Sequence, residues 1–458
     1  MTKIAIIGAG SAVFAQQMIT DVLSIDGLEA GEFGLIDIDP LRLAQAHELA
    51  ELTVARSGKP FTVTSSTDRL TTLPGTDFVI NTIEVSGLGN VRHDYDIPMK
   101  YGVDQCIGDT TGPGGVMKFL RTAPAWLDIL RDIERLASGA VVMNYTNPMS
   151  ALVLLSARGS NLKVYGLCHS IQNTLAELAG YLDLPMSELT YRCAGVNHLS
   201  WFTELSWKGK DLMLKLRAAM LKPAIYEQDI IRFEMLRHFG AFPTESSGHF
   251  SEYVPYFRKR PDLLAQFTRP AYKGESGFYA HNWPQWRQEH AARVADLIAR
   301  EKAGEAAIDM TRSPEFASNI IEGMVLNRPQ QITCNLPNMA DGAVLNGTVL
   351  NGTVLIDNLP PDGVVEVGCT VDGGGIHPQP YGRLPEALAA LDRSHMAVHS
   401  LLADSVLYRD RELAVQALML DPLTAAVCSL DEIRAMFAEL VEAEHADLPE
   451  YLRETVNA

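Results

Sequence analysis

Cysteine is scarce in this chain: six among 458 residues, scattered without paired spacing. A disulfide framework is therefore not expected, and reduced thiols in a cytoplasmic setting fit best. Long apolar runs are missing as well. No stretch approaches the length of a membrane span, and the opening Met1-to-Ile7 run is too short for a signal peptide. No low-complexity linker interrupts the chain. Basic side chains are outnumbered 38 to 56, giving a formal net charge of -18. That balance argues against nucleic acid and anionic membrane as partners. What is present is an ordinary globular composition, 47% hydrophobic and 21% charged, with length enough for two or three domains.

Lys3 to Ile7 reads as a buried parallel strand. Gly8-Ala9-Gly10-Ser11 follows, then a helical pattern from Val13 to Leu23. Two glycines let the backbone approach a pyrophosphate, and the helix N-terminus supplies amide donors. The third glycine of the usual fingerprint is absent, since Val13 stands there. The next strand, Phe33 to Ile36, ends at Asp37, with Asp39 a second acid two residues on. An acid at this point holds a ribose diol and repels a 2′-phosphate, which favours NAD over NADP. The other reading is a doubly wound domain without cofactor. Phe61 to Ser65, Asp77 to Thr82, Ala140 to Asn144 and the run ending at Cys168 continue an alternating βα pattern. The pattern predicts an α/β dinucleotide domain over residues 1–195. Residues 196–458 change style. Trp201 to Trp207 alternates like an antiparallel strand, Val344 to Val371 is β-rich, and helices close the chain, so an α+β domain is expected.

Two strand ends carry chemistry. Tyr165 to Ser170 delivers Cys168 and His169 side by side, and Cys193 to His198 ends in Asn197 and His198. A thiol and a distant imidazole at strand ends can share one soft or borderline divalent metal. Taken singly, each residue fits core packing equally well. Asn147, ahead of Pro148, stands at the carboxyl end of the sheet, where a hydrogen bond to a sugar hydroxyl or to nicotinamide competes with a plain turn role. Gly108 to Gly115 predicts either a loop that closes over a ligand or a flexible connector. Thr244 to Tyr253 crowds titratable and hydroxyl side chains, and Ser313-Pro314 predicts a helix start.

In this order, Gly8-Ala9-Gly10-Ser11, Asp37-Ile38-Asp39-Pro40, Gly112-Pro113-Gly114-Gly115, Asn144 to Pro148, Gly166-Leu167-Cys168-His169-Ser170 and Gly195-Val196-Asn197-His198 form a set. The chain resembles glycoside hydrolase family 4, the NAD- and manganese-dependent glycosidases. Cys168-His169-Ser170 and the Thr244-to-Tyr253 run resemble its α-galactosidase branch. Relatives acting on α-galacturonides, α-glucuronides or α-glucosides leave the sugar open, whereas the residues after Cys168 do not resemble those of the sugar-phosphate branches. The resemblance implies a Rossmann-like domain of the lactate and malate dehydrogenase kind, followed by an α+β domain for substrate binding and oligomerisation. It implies a homodimer or homotetramer that acts on a small carbohydrate. It also implies oxidation at C3, deprotonation at C2, elimination, water addition and return of the hydride. In that scheme Cys168 and His198 hold manganese, and Gly8, Gly10, Ser11 and Asp37 hold NAD. Tyr253 is the base, with His249 and Glu252 as runners-up. His169 stands where some relatives carry an acidic Asp, and it either donates a proton or orients hydroxyls. Asn147 contacts substrate or cofactor. A simple NAD-dependent hydroxy-acid dehydrogenase and a regulatory NAD-binding module are the readings from other classes.

Overall fold

The computed structural model describes residues 1–340, 343–345, 348–350 and 352–453. The β-branched opening forms β1 (Thr2–Ile7), whose Ile4, Ala5 and Ile6 have no exposed surface because helices cover both faces. Then come α1 (Ala12–Leu23), β2 (Gly31–Ile36) and α2 (Pro40–Ser57). Helix α2 starts where its sequence dictates. Asp39 accepts the backbone N–H groups of Leu41 and Arg42, and Pro40 occupies the first turn. The half continues through β3 (Thr62–Ser66), β4 (Phe78–Asn81), α3 (His93–Lys100), α4 (Gly112–Leu136), β5 (Val141–Asn144), α5 (Met149–Gly159) and β6 (Val164–Gly166). These six strands are parallel in the order β3-β2-β1-β4-β5-β6, the doubly wound dinucleotide arrangement.

The second half adds α6 (Ser170–Leu182), the hairpin β7 (Leu189–Val196) and β8 (Leu199–Trp207), α7 (Ser247–Tyr253), α8 (Phe278–Lys302), α9 (Ala317–Leu326), β9 (Gln330–Pro337), β10 (Val364–Asp372) and α10 (Glu386–Tyr408). Its strands extend the same sheet. β9 runs antiparallel beside β6, then come β10, β7, β8 and the short strand Phe242–Pro243. One apolar core lies under α1, α2 and α9; a second lies under α4, α5 and the C-terminal helices.

A row of buried polar groups crosses this sheet at one level. Asn81 pairs with Asn144, Asn144 with Gly166, Gly166 with Asn335, Asn335 with Glu366, and Glu366 with Gly195. Asn81 Nδ2 donates to Asn144 Oδ1 at 2.8 Å, Asn335 Nδ2 to Glu366 Oε1 at 3.1 Å, and Ser200 Oγ to Glu366 Oε2 at 2.6 Å. Gly166 has to lack a side chain: a Cβ there would meet Met149 Cγ at 2.8 Å and Asn335 Cβ at 2.9 Å.

Two local expectations are corrected. The stretch Gly108 to Gly115 is no flap. Helix α4 begins within it, at Gly112, and Gly112 to Gly115 are buried. A Cβ on Gly114 would come within 2.2 Å of the Gly108 carbonyl oxygen, so these glycines serve close packing. Glu252 then fixes the loop, accepting the N–H groups of Cys106 (2.6 Å), Ile107 (2.6 Å) and Gly108 (3.0 Å). Ser313-Pro314 starts no helix, because Ser313 is held by Asp21 and α9 begins at Ala317. The β-rich expectation holds for β10, a regular strand, while Asn346, Gly347 and Asn351 lie outside the described residues. Among the described residues no helix is long and apolar enough to cross a membrane.

Candidate active site

The site gathers at the carboxyl ends of β5 and β6. Leu167 and Cys168 leave β6 directly above Gly166, and the Ser170 N–H points at the Cys168 sulfur, 3.4 Å away. His198 occupies the tight turn between β7 and β8 with φ +62°, and Glu245 follows Phe242–Pro243 with φ +72°. Both are in the left-handed region, which non-glycine residues rarely adopt and which clusters at functional sites. One ligand atom from each of Cys168, His198 and Glu245 lies within 4.8 Å of the others. His198 Nε2 is 3.5 Å from Glu245 Oε2. On its other side, His198 Nδ1 is 3.3 Å from the Tyr253 hydroxyl.

These groups open onto a cavity of about 190 Å³ whose wall includes Asp109, Asn147, Cys168, His169, His198 and His249. His249 Nδ1 is 3.7 Å from Glu245 and its Nε2 is 3.6 Å from Asp109, with no hydrogen-bond partner at that nitrogen. Asn147 Nδ2 donates to Asp109 Oδ2 at 3.4 Å, and Asn147 Oδ1 is buried without a partner. Lys118 lies behind Asp109 at 3.5 Å and pairs with Glu84 at 2.9 Å. His169 stands at the mouth, half-exposed, its Nδ1 3.0 Å from Glu315.

The electrostatics follow from these contacts. Burial pushes the Cys168 thiol up to about 11, and the nearby Glu366 carboxyl adds to that. Burial would raise Glu245 too, but His198 and a hydrogen bond from His249 outweigh it and hold the carboxyl far below its usual range. Asp109 is similar: burial opposes ionisation, yet Lys118 and then His249 bring it down to about 2. The hydrogen bond to Glu315 raises His169 to about 9. Burial drives the Tyr253 phenol well above 10, and Asp109, Glu245 and Glu252 push the same way.

Of the residues singled out from sequence, Cys168, His198, His169, Asn147 and His249 meet on one cavity. Tyr253 lies behind His198, 2% exposed, and is not part of the cavity wall. Glu252 points away to the loop amides. Gly8, Gly10, Ser11 and Asp37 form a second cluster at the end of β1. Gly10 N–H donates to Asp37 Oδ2 at 2.7 Å, and a Cβ on Gly10 would strike that oxygen at 2.6 Å. Sequence reasoning did not single out Glu245, Glu315 or the Lys118–Glu84 pair. The crowding of Thr244 to Tyr253 was the available signal for Glu245.

Comparison with known families decides what this arrangement belongs to. Residues 3–184 match the model of family 4 glycosyl hydrolase, and residues 193–424 match that of the family 4 glycosyl hydrolase C-terminal domain. The chain belongs to glycosyl hydrolase family 4. Among relatives of this family 4 member, an α-galactosidase of Bacillus subtilis (strain 168) is 37% identical over 457 residues, covering 98% of this chain and 100% of that one. An α-galactosidase of Rhizobium meliloti (strain 1021) is 34% identical over 454 residues, covering 98% of this chain and 89% of the other. A 6-phospho-α-glucosidase from gut microorganisms, solved in complex with NAD and Mn2+, superposes with a TM-score of 0.79 at 18% identity, covering 98% of this chain and 99% of that one. The family 4 fold thus unites the dinucleotide-type turn and the Cys168–His198–Glu245 cluster in one sheet.

Proposed function

We propose that this family 4 chain is an NAD- and divalent-metal-dependent glycosidase acting on small, uncharged α-galactosides. The observation that carries it is the convergence of a thiol, an imidazole and a carboxylate at the carboxyl edge of a doubly wound sheet. The mixed donor set fits a divalent transition-metal ion, with the carboxylate and open positions for substrate oxygens suiting manganese. The turn at Gly8 to Ser11 fits a dinucleotide. Ser11 makes no side-chain cap bond, so the first amides of α1 are free for an anion, and Asp37 is available to a ribose. When bound, NAD supplies a hydride acceptor and the metal a Lewis acid.

The chain's own residues divide the remaining work. Cys168, His198 and Glu245 hold the ion. Tyr253 is assigned a positioning role: its hydroxyl on Nδ1 fixes the His198 ring with Nε2 toward Glu245. That replaces the base role expected from sequence, since a deeply buried phenol beside three carboxylates resists ionisation. His249 is assigned as proton acceptor. It faces the cavity, its Nε2 is unpartnered, and Asp109 and Glu245 stabilise the imidazolium that results. His169, kept protonated by Glu315, is assigned as proton donor to the leaving oxygen. Asn147 and Asp109 are assigned to sugar hydroxyls.

Two α-galactosidases at 37% and 34% identity support the galactoside. So does the cavity wall, which contains neither Lys nor Arg among the described residues. A uronate or phosphate would find no Lys or Arg in that wall, and the His169 imidazolium is already paired with Glu315. Two α-galacturonidases at 27% and 26% identity support an α-galacturonide as second reading. Nitrophenyl α-galactoside and α-galacturonide should be compared with NAD, manganese and a reductant. Release of nitrophenol from the galactoside, abolished by chelator and accompanied by no net NADH, is expected. Hydrolysis that survives thorough chelation would overturn the metal role, and preference for the uronide would overturn the sugar.

A further inference from the structure

Helix α8 crosses from the second half of the chain to pack on α1 and α2, beside the glycine turn. It carries a cation that is not held in any ion pair among the described residues. Arg287 makes no ion pair or hydrogen bond among the described residues, and its Nε is buried without a partner. Its guanidinium lies 5.5 Å from the Trp283 ring centroid, and Trp283 stacks on Tyr279 at 4.8 Å. Arg287 stands within electrostatic reach of Asp37 and Glu84. Asp37 follows β2 and Glu84 follows β4, the two strands that flank β1. A side chain near both therefore hangs over the end of β1, where Gly8 to Ser11 turn.

A second arginine meets it there. A Cβ on Gly10 would lie 3.0 Å from Arg42 Cβ, which fixes Arg42 against the turn; its only carboxylate neighbour among the described residues is Asp39 at 3.6 Å. His290, one turn beyond Arg287 on α8, also buries a nitrogen, Nε2, without a partner. Burial, then Arg42, lowers the Arg287 pKa, and the Glu84 and Asp37 carboxylates offset only part of it. A chain of net charge -18 has ample carboxylates, yet among the described residues none forms an ion pair with Arg287. Two guanidinium groups over an anion-binding turn, one outside any ion pair among the described residues, suit an anionic ligand.

We propose that Arg287 and Arg42 clamp the phosphates of a dinucleotide seated on the Gly8-to-Ser11 turn, so that α8 closes the cofactor site from the second half of the chain. This rests on the NAD reading above. The full-length protein should be titrated with NAD by calorimetry, beside Arg287→Gln, Arg42→Gln and Arg287→Lys. Each Gln variant should weaken NAD by about tenfold or more, the loss of one charge-assisted hydrogen bond, and Arg287→Lys should recover part of it. Adenosine, which has no phosphate, should compete equally in wild type and Gln variants. Arg300→Gln, at the far exposed end of α8, should leave NAD affinity unchanged. If Arg287→Gln lowers the thermal midpoint without ligand, Arg42→Gln and Arg287→Lys carry the test. Unchanged NAD affinity in these variants would overturn the clamp while leaving the NAD reading intact. Wild type that binds NADP more tightly than NAD, with the preference lost in Arg42→Gln, would move the cations to a 2′-phosphate and overturn the assignment. Wild type that binds no dinucleotide would sink the NAD reading and the clamp together.

Discussion

Tyr253→Phe separates two mechanisms. In the structure the hydroxyl lies 3.3 Å from His198 Nδ1, on the side of the ring opposite Glu245. Removing it leaves one buried ring nitrogen unpaired and frees the ring to turn. Loss of an outer partner of a metal-binding histidine typically weakens metal binding by about 10- to 100-fold, which is about 1.4 to 2.8 kcal/mol. A direct hydrogen bond of this kind contributes about 1 kcal/mol to stability, so the protein should stay folded. At saturating manganese the ring is held by the metal itself, and turnover should fall by less than about tenfold. If Tyr253 were the proton acceptor, the pattern would reverse. Turnover at saturating metal would drop by about 100- to 10,000-fold, with metal affinity untouched. Calorimetric titration of manganese and hydrolysis of nitrophenyl α-galactoside over a range of metal concentrations give both numbers. A large loss of turnover with unchanged manganese affinity would refute the positioning role.

His249→Gln should behave as Tyr253 does not, losing about 100-fold or more in turnover while binding manganese within a few-fold of wild type. Glu245→Gln should weaken manganese by about tenfold or more and leave NAD affinity unaltered in calorimetry. Glu366→Ala should cost about 2 to 4 kcal/mol in urea unfolding, because Ser200 and Asn335 lose their buried partner, and Glu366→Gln should cost less. Asp109 titrates lower in the fold, at about 2, than its ordinary 3.8. Its ionised form therefore stabilises the protein above pH 3.8, and that contribution is lost as pH falls toward 2. Lys118→Met removes the main group holding it down, so acid unfolding followed by circular dichroism should begin at higher pH.

The first half of the fold was legible because period and chemistry agreed. β-branched runs, glycine turns and an acid at Asp37 repeat a pattern that only a doubly wound sheet satisfies. Cys168 and His198 stood out because each ends an apolar strand. Glu245 did not, since it follows a two-residue strand on a backbone turn with positive φ, and the crowded run around it does not say which carboxylate a distant histidine will meet. Tyr253 was visible as a residue but not as a direction: its position on α7 says nothing about which face of His198 it touches. The glycines at 112–115 looked mobile by composition. Their real constraint is contact with carbonyls of 108–110, and the clamp from Glu252 comes from far along the chain.

The buried row from Asn81 to Ser200 has a consequence for how the enzyme can evolve. Antiparallel partners that differ only in apolar side chains tolerate slippage, but here a shift of one residue would turn every amide and carboxylate of the row to the opposite face. Alignment errors are thus punished at seven neighbouring strands at once. The loops above can therefore be rebuilt for new sugars while the spacing between thiol, imidazole and nucleotide turn is inherited from a ruler beneath them.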